Sequence, residues 1–358
     1  MSNAPLPDSS AVPANARPIV LQQPSAFGRY GKLLLILLGL SVMTIFGLVG
    51  AYQSYFSPPG GPQERYHSLS RNAENKIAIV TITDTIMEPD GFVKQQLDLI
   101  ENDDDVKAVV LRINSPGGTV TASDYLYHHT REVVRKRELP LVISMGGICA
   151  SGGYYIAMAV GDQEDTVFAE PTTWTGSIGV VIPHYDLSGL LESWKIQDDS
   201  IASHPNKLMG SPTRELTREQ REEERELFQD LVDRSFARFR GIVLKGRPLL
   251  AGDEEKLAEA TTGQIFTAQQ AQELGLVDQI GFIEQAIERA AELAGLDTKE
   301  VRCIEYSEPP PSLSTLLAAK ADAANRIAPD VRSLLDLTTP RAYYLCTWLP
   351  SLLSSQAR

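Results

Sequence analysis

The sequence predicts an α/β protein built on a mostly parallel sheet and preceded by one helix apolar enough to span a bilayer. Three observations carry that expectation. Short β-branched runs alternate with runs of helical periodicity through the middle of the chain, which is the pattern of βαβ units. Twenty residues from Leu33 to Tyr52 carry no charge. An apolar content of 43% over 358 residues is enough for a sizeable core.

In chain order, residues 1–28 are rich in Pro, Ser and Ala with little apolar pattern, and disorder is expected there. The run Leu33 to Tyr52 would rise about 30 Å as a helix, the thickness of a bilayer core. A cleaved secretory signal peptide is the rival reading. The long segment before the run, its full spanning length and the lack of a clean small-x-small cleavage site favour an uncleaved signal anchor. Arg29 and Lys32 precede the run and residues 53–63 are uncharged, so the positive-inside rule puts the N-terminus in the cytoplasm and the remainder outside. Pro58-Pro59-Gly60-Gly61-Pro62 reads as a linker.

Ile77 to Ile82 alternates and is β-branched, which reads as a strand. Phe92 to Glu101 reads as a helix, Val106 to Ile113 as a buried strand, and Thr119 to Lys136 as a helix with Ala122, Tyr125, Leu126 and Val133 at helical spacings. A strand over 140–144, a helix over 154–160, and strands over 166–169 and 178–182 follow. Thr217 with Gln220 forms a capping box that opens a long helix, ended by Gly246-Arg247-Pro248. Further helices are expected over 252–260, 267–274 and 281–294. After Pro309-Pro310-Pro311 comes a weakly patterned tail containing Tyr343-Tyr344-Leu345, read as a linker and C-terminal arm.

Composition excludes several function classes. A net charge of −13 argues against a nucleic-acid partner, because phosphate binding needs concentrated Lys and Arg. Three cysteines, Cys149, Cys303 and Cys346, indicate neither a disulfide framework nor a metal site. Cys149 reads as a small buried core residue.

The candidate chemistry centres on Ser151. It lies between Ala150 and Gly152-Gly153, at a turn from strand to helix, where a hydroxyl projects from a tight corner and helix N–H groups face it. An N-cap serine in a glycine-rich turn is the plain alternative. Asn114-Ser115-Pro116-Gly117-Gly118 follows the strand 106–113, where α/β folds place ligands, and paired glycines there can leave an N–H free to bind an oxyanion. Of the five histidines, His67, His128 and His129 read as surface or packing residues, and neither His184 nor His204 has an orienting acid at a telling position. Lys207, in an irregular stretch before the long helix, is the other candidate base.

From about Ile77 to Phe282 the chain resembles the signal peptide peptidase A family. The matching segments are Asn114-Ser115-Pro116-Gly117-Gly118, Ala150-Ser151-Gly152-Gly153-Tyr154-Tyr155 and Thr175-Gly176-Ser177-Ile178-Gly179-Val180, then Lys207 ahead of Ser211-Pro212-Thr213-Arg214-Glu215. Gly263-Gln264-Ile265-Phe266 and Ala271 to Asp278 continue the match. Pro340-Arg341 before Tyr343-Tyr344-Leu345 resembles the family's C-terminal end. Gly161-Asp162-Gln163-Glu164 departs from it as a slightly long surface loop.

The resemblance implies a crotonase/Clp-protease-like fold of repeated ββα units and a membrane-anchored serine endopeptidase of a bacterial cell membrane. It assigns Ser151 as nucleophile, Lys207 as general base and Ser177 as the residue that orients the lysine amine. Gly118 and Gly152 would supply the oxyanion amides, with Gly117 shaping the turn. The implied division is a cytoplasmic N-terminus (1–32), the anchor (33–52), a linker (53–75), the peptidase domain (76–308) and the C-terminal linker and arm (309–358). No cofactor and no metal are implied. A lysine base must be neutral, and lowering an ordinary lysine from about 10.4 to roughly 7 requires burial against apolar groups. In single-domain members the serine and lysine are implied to come from neighbouring subunits of a ring-shaped homo-oligomer acting on cleaved signal peptides and other extended apolar segments. The segment Asn114 to Gly118 also resembles the Clp protease, which uses histidine; a crotonase-type hydratase and a catalytically silent membrane scaffold are the remaining alternatives.

Overall fold

A helix that is apolar on every face has nothing to gain from water. Helix α1 (Ala26–Phe56) is of that kind: its stretch Tyr30–Tyr52 is exposed apart from Gly31, and it is long and apolar enough to cross a membrane. The computed structural model describes residues 26–56, 61–308 and 342–346. The disorder expected at the N-terminus and most of the C-terminal arm therefore fall outside the described residues. Helix α1 and the unit from Gly60 onward are separate compact bodies.

In the second body, alternation builds the sheet. Strand β1 (Gln63–Leu69) leads into β2 (Asn75–Thr83), α2 (Phe92–Glu101) and β3 (Val106–Ser115). Short β4 (Gly117–Thr119) turns directly into α3 (Val120–Lys136), whose N-cap Thr119 accepts the amide of Ala122. Next come β5 (Leu141–Ala150), α4 (Gly152–Ala157), β6 (Val167–Ala169) and β7 (Trp174–Gly176). Helix α5 (Ser188–Ser193) precedes the long α6 (Arg218–Gly246), whose Thr217–Gln220 capping box forms as expected. Helix α7 (Glu254–Ala260), β8 (Ile265–Thr267), α8 (Ala268–Glu273), β9 (Gln279–Ile280), α9 (Ile283–Leu293), β10 (Val301–Ser307) and β11 (Tyr343–Leu345) complete the order.

The main sheet runs β1-β10-β2-β3-β5-β6-β9, parallel from β10 to β9, with β1 antiparallel at one edge. Strand β7 pairs with the far end of β5 and antiparallel to β8. Because side chains alternate along a strand, Ala78, Val80 and Ile82 enter the larger core with α3, α4 and α6, while Ile77 and Ile79 pack against Ala286, Ile287 and Ala290 of α9. Both faces are covered, which is why β2, β3 and β5 read as nearly continuous apolar runs.

Three expectations change. Residues 63–69, read as linker, form β1, because pairing with β10 satisfies their backbone despite charged side chains. Residues 178–182 do not form a strand; Val181 makes one bridge, to Tyr343, and the extended segment that pairs with the end of β5 is β7. Strand β5 continues from the expected 144 to Ala150, carrying its polar end to the candidate serine.

Candidate active site

Strand β5 delivers Ser151 into helix α4 through a backbone that ordinary residues avoid, φ 54° and ψ −115°. Left-handed φ at a non-glycine residue costs on the order of 1–3 kcal/mol and has to be held by its surroundings. Here its N–H donates to the Gly176 carbonyl at 2.8 Å and its carbonyl accepts from Tyr155 at 2.8 Å. The plain N-cap reading fails, since the Ser151 side chain caps nothing. Ser151 is 1% exposed, and among the described residues no hydrogen bond occupies its Oγ.

The same contact brings Ser177 in. Gly176 precedes it with φ 86°, Ser177 itself has φ 51°, and its amide donates to the Gln264 carbonyl at 2.7 Å. Two successive left-handed residues turn the chain away from β7 right beside Ser151.

Strand β4 closes the site from the other side. Gly117 has φ 99°, and a Cβ there would lie 2.1 Å from the Tyr344 carbonyl oxygen and 2.6 Å from the Gly152 nitrogen. A Cβ on Gly152 would lie 2.4 Å from Ser123 Oγ and 3.1 Å from the Gly118 nitrogen. Glycine is needed at both positions because backbones meet there. The Gly117 amide donates to Ser115 Oγ at 3.2 Å, so it shapes the turn and is not available as an oxyanion donor. Ser115 Oγ in turn donates to the Asp84 carbonyl at 2.5 Å. The Gly118 nitrogen thus lies close to Gly152, directly after the candidate serine, where amides for an oxyanion would have to sit.

Five of the six residues named from the sequence come together: Ser151, Ser177, Gly117, Gly118 and Gly152. Lys207 does not join them within the chain. It sits on a 3₁₀ turn, Pro205–Leu208, exposed, with its amide donating to His204 and no hydrogen bond or ion pair on Nζ among the described residues. Its own chain does not supply the apolar burial that a lysine base requires.

No histidine reaches the serine. His67 bonds Ser68, His129 bonds Asp98, His128 faces Glu132, His184 packs on Phe228, and His204 accepts the Asn206 amide. Cys149 is fully buried, and desolvation holds its thiol well above the ordinary range, so it is a core residue. Among the described residues no cluster of His, Cys, Asp and Glu could hold a metal.

The sequence did not single out Ser123 or Tyr344 for the site. Ser123 Oγ, fixed by donating to the Thr119 carbonyl at 2.9 Å, packs against Gly152. Strand β11 lies antiparallel along β4, with Tyr344 opposite Gly118.

Family models match in two places: Peptidase family S49 over residues 134–297 and Clp protease over residues 63–173. A Synechocystis relative, named as a protease only provisionally, is 38% identical over 247 residues, covering 68% of this chain and 84% of that one. The chain belongs to the signal peptide peptidase A family. It is also similar to the chloroplastic serine protease SPPA of Arabidopsis thaliana, 32% identical over 65% of this chain and 33% of that protein. Protease 4 of Haemophilus influenzae is 31% identical over 62% of this chain and 35% of its own length. This chain thus spans about a third of each of those two longer relatives. Family membership makes the molecule an S49 serine peptidase, and Ser151 is a buried serine with left-handed φ whose side chain caps no helix.

Proposed function

We propose that this chain is a membrane-anchored serine endopeptidase in which Ser151 attacks a peptide carbonyl and Lys207 of a neighbouring copy takes its proton. The observation that carries the reading is the corner at Ser151: a left-handed backbone, an uncommitted Oγ, and the amides of Gly118 and Gly152 nearby. Attack forms a tetrahedral oxyanion stabilised by those two amides; removing one such donor ordinarily costs about 10²–10³ in rate. The lysine then returns the proton to the leaving amine, and water hydrolyses the acyl-enzyme. In this reading Ser177, whose neighbour Gly176 bonds the Ser151 amide, receives and orients the incoming amine.

Exposure of Lys207 and its surroundings supports supply of the lysine by a second copy. The segment leading to Lys207 presents Tyr185 at 70%, Trp194 at 64% and Ile201 at 97% exposure, an apolar surface that a ring-forming neighbour would cover. Covering it would also remove water from Lys207, which makes its amine a competent base. Substrates are extended apolar peptides such as remnant signal peptides, met outside a bacterial membrane that α1 spans with its N-terminus in the cytoplasm.

Complementation tests this arrangement. Ser151→Ala and Lys207→Ala are each inactive; mixed one to one through unfolding and reassembly, they recover about a quarter of wild-type peptide hydrolysis, because one neighbour pair in four combines an intact serine with an intact lysine. No recovery, with both variants assembling normally, would eliminate a shared site.

A further inference from the structure

We propose that Arg214 and Glu224 are positioning residues for the general base: together they clip the turn that carries Lys207 to helix α6, at one point before the lysine and one point after it. The inference rests on the reading of Lys207 as the base and names the groups that aim it.

The turn has little else to hold it. Its own hydrogen bonds are local: the Lys207 amide to the His204 carbonyl at 2.9 Å, Met209 to Asn206 at 3.2 Å and Ser211 to Leu208 at 3.1 Å. Residues 203–207 are all exposed. A short turn with a solvated backbone and few buried contacts sits at the low end of local stability. Among the described residues, two hydrogen bonds tie 204–210 to groups outside 204–211. The Pro205 carbonyl accepts from Arg214 Nη1 at 3.2 Å, and the Gly210 amide donates to Glu224 Oε2 at 3.2 Å.

Glu224 joins the two. Its other oxygen, Oε1, lies 3.2 Å from Arg214 Nη2. One guanidinium therefore spans from the carbonyl on one side of Lys207 to a carboxylate that holds the amide on the other side. Glu224 is 8% exposed, whereas residues 221–223 and 225–227 around it on α6 are exposed. Burying a carboxylate is costly unless its oxygens are paired, and here both are. Such a pair often adds no more stability than apolar residues of like volume would. What the planar fork of an arginine does supply is fixed geometry. Helix α6 is a firm base for it, opened by the Thr217–Gln220 capping box and seated in the larger core through Phe239, Ile242 and Val243.

Aim matters because a base has to come within about 2.6–3.2 Å of the proton it takes, and a displacement of about 1 Å can cost about 10² in rate. Among the described residues Lys207 Nζ has no partner, so the turn beneath it sets its direction toward a neighbour's serine.

The test uses the full chain in detergent and a fluorophosphonate that modifies active serines. The double variant Arg214→Met with Glu224→Leu removes both clips while keeping the volume filled and leaving no buried charge. It should assemble and melt as the wild type does, yet label Ser151 about 10–10² times more slowly. On a fluorogenic peptide kcat should fall by that factor with KM unchanged, because neither residue touches substrate. Arg214→Lys keeps a cation opposite Glu224 but lacks the fork that also reaches Pro205, and should lose about threefold to tenfold. The deciding comparison repeats both changes in a Lys207→Ala background, where the slow residual labelling should not fall further. An equal loss in both backgrounds would overturn the positioning role, since the pair would then act on the fold or on Ser151 directly. Labelling of both variants at the wild-type rate, with Lys207→Ala slow, would also overturn it and leave the lysine base standing. Labelling of Lys207→Ala at the wild-type rate would instead overturn the base, and the positioning role with it.

Discussion

The Arg247 guanidinium donates to the Asp278 carboxylate at 2.5 Å, and both side chains are almost wholly buried. Asp278 also accepts the amides of Thr166 and Val167, each at 2.9 Å, while Arg247 Nε donates to the Gly275 carbonyl at 2.7 Å. One ion pair thereby ties the end of α6 to the start of β6 and to the turn after α8. Burial alone would raise the Asp278 carboxyl, but the hydrogen bond and charge of Arg247 and the two amides outweigh it and hold it below its ordinary value.

Asp278→Ala should therefore cost about 3–5 kcal/mol, because it leaves a buried guanidinium without its partner. Since the folded carboxyl titrates below the unfolded one, its contribution is fully present above the unfolded value of about 3.9 and is lost as pH falls through the lower folded value. Urea unfolding at pH 7 and pH 3 checks this: the gap between wild type and variant should be wide at the first and narrower at the second. A gap unchanged between the two would contradict the linkage.

Ser151→Gly should abolish labelling and yet stabilise the fold. Glycine accepts φ 54° freely, relieving about 1–3 kcal/mol of strain, against up to about 1 kcal/mol of extra chain entropy lost on folding. A net gain of about 1 kcal/mol would raise the melting temperature by about 2–4 °C. A lower melting temperature would mean that the backbone there is not strained.

Gly152→Ala should reduce fluorophosphonate labelling by about 10²–10³, because its Cβ collides with Ser123 Oγ and shifts the amide proposed to bind the oxyanion. Removing the colliding atom with Ser123→Ala should win back about tenfold, a coupling expected only of neighbours. Strictly additive losses would separate the two residues.

Thiol chemistry should be silent at Cys149 and Cys303 in the folded chain. Burial pushes the Cys303 thiol up to about 12 and the Cys149 thiol higher still, and both are inaccessible. Iodoacetamide at pH 8 should modify them only after denaturant is added, as peptide mass mapping would show.

The residues that dictate the fold advertise themselves unevenly. Helix α2 was legible to its last residue because Leu97 and Ile100 recur at helical spacing and face a core. Strand β1 was not, since GlnGluArgTyrHis carries no apolar alternation and is a strand only because β10 pairs with it. At the site, the motif around Ser151 and the Gly117-Gly118 turn could be read directly, because close backbone approach admits only glycine. Lys207 was legible only through family resemblance; nothing in its own chain marks it as a base. Tyr344 escaped because its significance lies in a register against Gly118, which is far away in sequence.

Strand β11 is held on both edges, by β4 with Tyr344 opposite Gly118 and by the hydrogen bonds that Tyr343 and Val181 exchange. A segment more than two hundred residues further along the sequence thus covers a sheet edge that would otherwise stay open to any strand passing by.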